Sequence, residues 1–199
     1  MSYDPVRTDT WNFSEDPDLA LGFPDGADQA LRLGHGGSIV LVFGDGQTPY
    51  CIPNGPGPDF VVYSNSTHDA SVLPGLSGAV TQIITVEVSQ NASGWIRVPH
   101  SYNPLVSDLS DPTRYGPGLA GITPIEGTGA DAAGGDQIDM DSDAIPTGFE
   151  ACYVRLTDAG DNIPDVGNTL EGTAADPASG ASGVDALVGF NPVSPPSTP

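Results

Sequence analysis

The chain has 199 residues, enough for one large domain with short extensions. It carries 26 acidic residues against 5 arginines and no lysine, a formal net charge of −21. That balance excludes nucleic-acid binding, which needs a basic footprint, and opposes adsorption to an anionic membrane. No apolar run is long enough to insert into a bilayer as a helix.

The acidity is mostly aspartate, 21 Asp against 5 Glu. Asp is the short carboxylate that suits turns and ligates hard cations from loops, so cation binding is expected beside simple surface solvation. With 26 glycines and 20 prolines the chain reads as loop-rich, yet its apolar residues gather into runs that can form a core. Cys51 and Cys152, if paired, would close a loop worth roughly 4.7 kcal/mol in the chain-entropy model. In Ala151-Cys152-Tyr153-Val154-Arg155-Leu156, however, Cys152 shares the apolar face of Val154 and Leu156, which favours a buried free thiol over a bridge.

In chain order, residues 1–17 are a polar arm. The domain proper, 18–192, opens with Leu19-Ala20-Leu21-Gly22-Phe23-Pro24-Asp25-Gly26. Strands are expected at Ser38–Phe43, Asp59–Tyr63, Val80–Ser89, Trp95–Val98, Cys152–Thr157 and Val184–Phe190. Ile84, Val86 and Val88 alternate with Thr85, Glu87 and Ser89, and Asn91-Ala92-Ser93-Gly94 suits a hairpin into Trp95. Asp59, Val61, Tyr63 and Asn65 share one strand face. No helical periodicity is sustained, so the fold class is all-β, a jelly-roll β-sandwich with long Gly/Asp-rich loops. Residues 99–148 are polar and too long for an idle loop, and a metal clip is one way to order them. Residues 193–199 form a Pro-rich tail. Ends of this composition stay mobile unless tied down, and neighbouring protein subunits of an assembly are the expected anchors.

The candidate chemistry lies in Asp clusters on glycine turns. Gly134-Gly135-Asp136-Gln137-Ile138-Asp139-Met140-Asp141-Ser142-Asp143 packs four carboxylates into a short stretch, which repel unless solvated or bridged by Ca2+. It lacks the glycine and closing glutamate of an EF-hand. Asp158-Ala159-Gly160-Asp161-Asn162-Ile163-Pro164-Asp165 follows a strand and offers Asp158 and Asp161. Pro24-Asp25-Gly26-Ala27-Asp28 is a third such turn, and Asn54-Gly55-Pro56-Gly57-Pro58-Asp59 a tight turn that Asp59 caps.

Catalytic patterns are poor. His35, His68 and His100 have no metal-binding spacing, no Gly-x-Ser-x-Gly occurs, and carboxylates are too numerous to mark a glycosidase. Trp11, Trp95, Tyr102 and Tyr115 could stack on sugars, although Trp95, being in a strand, is expected in the core. Asn12, Asn65 and Asn91 head glycosylation triplets.

Leu21-Gly22-Phe23-Pro24-Asp25-Gly26 followed by Leu33-Gly34-His35-Gly36-Gly37-Ser38-Ile39-Val40-Leu41 resembles the opening of a family of bacterial and archaeal cell-surface domains. The likeness continues through Gly57-Pro58-Asp59-Phe60-Val61-Val62-Tyr63-Ser64-Asn65, Trp95-Ile96-Arg97-Val98-Pro99, Tyr153-Val154-Arg155-Leu156-Thr157-Asp158 and Ser182-Gly183-Val184-Asp185-Ala186. The resemblance implies a galactose-binding-like jelly roll supported by calcium, without catalysis, and with Asp59, Asp136, Asp139, Asp158 and Asp185 as polar signature positions. The sequence departs from the family in showing no signal peptide or anchor, and in carrying one Asp, Asp185, where two are common. A virus that borrowed the domain for its particle would account for those departures.

The expected metal ligands are therefore Asp59, Asp136, Asp139, Asp158, Asp161 and Asp185. The expected function is a non-enzymatic structural or assembly module on an extracellular particle, a virion decoration or attachment protein stabilised by calcium. The alternatives are a secreted module binding surface glycans or matrix, and a hydrolase with acidic catalysis.

Overall fold

The computed structural model describes residues 2–4, 16–25, 30–34, 36–44, 49–64, 66, 82–107, 111–163 and 183–190. Among these the chain is all-β, with 3-10 turns and no α-helix. The first strands are β1 (Ser2–Asp4), β2 (Leu31–Arg32), β3 (Ser38–Gly44), β4 (Pro49–Tyr50), β5 (Ile52–Pro53) and β6 (Phe60–Ser64). Then come β7 (Ile84–Ser89), β8 (Ile96–Arg97), β9 (Leu119–Ala120), β10 (Ile125–Glu126) and β11 (Ala133–Gly134). The last are β12 (Asp136–Ile138), β13 (Glu150–Ala151), β14 (Tyr153–Asp158) and β15 (Gly183–Gly189).

Two antiparallel sheets make a β-sandwich. The larger has the order β1-β3-β14-β7-β8, with β4 added to β3 and β9 to β7; the smaller runs β12-β6-β15-β2. The two-residue side-chain period of a strand explains what each sheet buries. Ile39, Leu41 and Phe43 of β3, Val86 and Val88 of β7, and Val154 and Leu156 of β14 face inward from one sheet. Phe60 and Val62 of β6, Ile138 of β12 and Val184 of β15 meet them from the other, forming one core. The rings of Phe43 and Phe60 meet edge to face at 5.8 Å across it.

The opposite face of β6 is covered as well. Val61 and Tyr63 pack with Ala186 and with Ile125 and Ala132 of the β10–β11 hairpin. This is why β6 is buried along its whole length. Gly135 lets the hairpin lie so close: its φ is +69°, and a Cβ there would approach Val61 Cγ1 to 2.7 Å. The long polar stretch that follows β8 is thus a layer of short strands and 3-10 turns applied to the sandwich.

Ser2–Asp4, in the arm expected to be held by neighbouring subunits, pairs with the chain's own β3, Ser2 opposite Val40 and Asp4 opposite Ser38. The tail 193–199 lies outside the described residues.

The cysteines correct the expectation of a free thiol: Cys51 and Cys152 form a disulfide. Pairing explains it. β5 runs against β13 with Ala151 opposite Ile52 and Glu150 opposite Pro53, so the same register carried one residue further sets Cys152 opposite Cys51. Their Cα atoms are 4.1 Å apart. Cys152 is buried as the sequence pattern implied, but what it meets is its partner's sulfur.

Candidate functional site

Four of the six aspartates singled out in the sequence are buried: Asp59, Asp136, Asp158 and Asp185. Each carboxylate accepts hydrogen bonds from backbone amides of a distant or adjoining loop. Asp59, just before β6, takes the Gly55 amide on Oδ1 at 2.9 Å and the Met140 amide on Oδ2 at 2.7 Å. Asp136, at the start of β12, takes Ile122 N on Oδ2 at 2.9 Å and Thr123 N on Oδ1 at 3.0 Å. Asp158, ending β14, holds Gly36 N and Gly160 N on Oδ1, both at 2.9 Å. Asp185 sits where the pairing of β15 with β6 shifts register, and both its oxygens face the Asp25 amide, at 3.2 and 3.1 Å.

The electrostatics follow from this geometry. Burial strips water from the Asp59 and Asp136 carboxyls and pushes both above the ordinary value of 3.8. The amides oppose that push: Met140 and Gly55 at Asp59, Ile122 and Thr123 at Asp136. At Asp59 the nearby charges of Asp139 and Asp141 raise the value further. Each carboxylate thus works as a peg, one strand-borne anion satisfying amides that the loops would otherwise bury unpaired.

The remaining two predicted ligands differ. Asp139 is exposed, and its Oδ1 takes the Asp141 amide at 2.8 Å in a local turn. Asp161 falls in the 3-10 turn Gly160–Asn162, with its side chain outside the described residues. Among the described residues no three His, Cys, Asp or Glu side chains converge on one point. The structure therefore does not bring the six aspartates together. Each of the four buried ones is engaged by backbone amides of neighbouring loops, which orders those loops from the protein's own groups.

The aromatic candidates divide. Trp95 is only half-buried, and corrects the expectation of a core position. It lies beside the outer face of the larger sheet, and the Arg155 guanidinium stacks over its ring at 4.6 Å from the centroid. Tyr115 is buried, whereas Tyr102 is exposed. Trp11, His35, His68, Asn12 and Asn65 lie outside the described residues, and His100 has no metal-binding companion among those described. Asn91 stabilises its own hairpin turn, its Oδ1 accepting from Ser93 N and Gly94 N at 3.0 and 3.2 Å.

Arg114 was not singled out from the sequence. It is buried, its guanidinium lies 5.9 and 6.0 Å from the rings of Tyr102 and Tyr115, and it donates to the Val106 carbonyl. The signal was the preceding Asp111-Pro112: Asp111 caps the 3-10 turn through Thr113 N at 2.9 Å and so aims Arg114 back under the loop.

Comparison with family models, with curated proteins and with solved structures finds no match, so the functional reading rests on this chain's own residues.

Proposed function

We propose that the chain is a non-enzymatic structural module, built into the surface of an extracellular particle such as a virion and working there through contacts with neighbouring subunits. The observation that carries this reading is the use made of the carboxylates. Acid–base catalysis needs carboxyls that face a substrate, whereas the four buried aspartates face backbone amides and fix loops. The Cys51–Cys152 disulfide supports a location outside a reducing cytosol.

Light scattering on the purified chain, together with a polysaccharide hydrolysis panel, tests the proposal. Self-association without hydrolysis is expected. Hydrolysis lost on a single Asp→Asn change would replace the reading with an enzymatic one.

A second reading, a glycan-binding module, draws on Trp95, whose ring is held beside the outer sheet face by Arg155. Loss of glycan retention on Trp95→Ala is its test.

A further inference from the structure

The outer face of the larger sheet departs from the chain's overall charge. Strand pairing aligns one transverse row there. Arg97 of β8 stands opposite Glu87 of β7, Glu87 opposite Arg155 of β14, and Arg155 opposite Val40 of β3. Their chain neighbours Val86, Val154 and Ile39 point into the core, so alternation sends this row outward. Tyr153 and Val42 pair in the row on one side, Thr157 and Ser38 in the row on the other. Two of the chain's five arginines thus share the β3, β14, β7 and β8 face with one acid, while the whole chain carries −21.

That face is also rigid and partly apolar. Nε and Nη2 of Arg155 each lie 2.7 Å from Glu87 Oε2, with the Trp95 ring beneath the guanidinium. Glu87 is engaged by Arg155, while Arg97 stands exposed beside it. Val40, Val42, Tyr153 and Trp95 are half-buried around the row.

The complementary surface is elsewhere on the same chain. Asp139, Asp141 and Asp143 are all exposed on the turn that leaves β12 in the smaller sheet. This turn is preformed. Met140 and Ile145 plug into the core, the Met140 amide is held by Asp59, and Ile145 N donates to Ser142 O at 3.1 Å. Little ordering entropy remains to be lost on docking.

We propose that the Arg97–Arg155 row is a docking surface for a second copy of this chain, which inserts its Asp139–Asp141–Asp143 turn against it. The inference rests on the assembly reading and gives it a contact. Because the two surfaces differ, the contact is heterologous, head to tail, and propagates into a ring or a filament. Bodies this acidic repel one another, so an interface between copies needs opposite charge where they touch, and this row supplies it.

The test is sedimentation of the full chain alongside Arg97→Glu, Arg97→Ala and Asp141→Arg, with near-UV circular dichroism to check each fold. The wild type should associate, and each variant should associate at least about tenfold more weakly. An equimolar mixture of Arg97→Glu and Asp141→Arg should associate again, since each retains the surface the other has lost. Association that both substitutions leave intact overturns this contact and leaves the assembly reading standing. A mixture no stronger than its components also overturns the contact. A wild-type chain that stays monomeric, whether or not it retains a glycan, overturns both.

Discussion

The Asp59 carboxylate meets the Met140 amide at 2.7 Å although 81 residues separate them in the chain. Together with the Gly55 amide on its other oxygen, this bond ties the entry of β6 to the turn after β12. Met140 is fully buried, so its amide has no water to fall back on. Asp59→Ala would leave two amides without an acceptor, and the expected cost is roughly 2–4 kcal/mol of stability. Asp59→Asn keeps one acceptor oxygen and should lose less. Chemical denaturation of both variants measures the difference, and an unchanged midpoint for Asp59→Ala would refute the peg.

The Cys51–Cys152 bridge closes a separation of 101 residues, about half the chain. In the chain-entropy account a loop of that length is worth about 4.7 kcal/mol, held through the unfolded state. Paired Cys51→Ala and Cys152→Ala substitutions should therefore lower stability by about 2–5 kcal/mol while leaving the sheets in place. Equilibrium unfolding with and without reductant gives the same quantity. A reduced chain as stable as the oxidised one would mean that the pairing of β5 with β13 alone fixes this edge.

The strands were largely legible before the structure, and the partners of the polar residues were not. Ser38–Phe43 and Cys152–Thr157 carry two-residue alternation between buried and half-buried faces, which any pleated sheet imposes, and they appear as β3 and β14 nearly end to end. The positions of Asp59, Asp136, Asp158 and Asp185 stood out for a sound reason: short carboxylates at strand ends beside glycines are committed to something. Sequence shows the anion but not what faces it. Amides are present at almost every residue, so a backbone donor leaves no compositional trace, whereas an excess of acid points toward a cation. The cysteines failed in a similar way. Cys152 shares the apolar face of Val154, but whether a thiol there is free depends on the register of β5 against β13, two short strands without a pattern of their own.

The two carboxyls raised by burial set a pH dependence with a definite sign. Asp59 and Asp136 bind protons more readily folded than unfolded, so between the ordinary value of 3.8 and their raised values the folded chain holds the extra protons. Stability then falls as pH rises through that window and is regained as pH falls back through it. Acidification from neutrality toward the ordinary carboxylate range should raise the denaturation midpoint. Relief of net charge acts in the same direction, and the contribution of Asp136 is isolated by Asp136→Asn. That variant is expected to be less stable at neutral pH, since one amide loses its acceptor, and to show a flatter pH profile. A profile as steep as the wild type's would remove Asp136 from the account.

Calcium is the remaining lever. Ca2+ needs six to eight oxygens, and an ionised carboxylate that already accepts two amide hydrogens keeps about two of its roughly four lone pairs for an ion, so two such groups fall well short of a shell. Asp136 has both oxygens so engaged, and so does Asp59. Removal of calcium by a chelator, at matched ionic strength, should therefore leave the melting temperature unchanged, while added monovalent salt raises it by screening a net charge of −21. A calcium-specific rise beyond that of magnesium at equal ionic strength would reverse this. Asp139→Asn and Asp161→Asn would then locate the ion: loss of the rise with Asp139→Asn places it on the exposed turn after β12, and loss with Asp161→Asn places it at the end of β14.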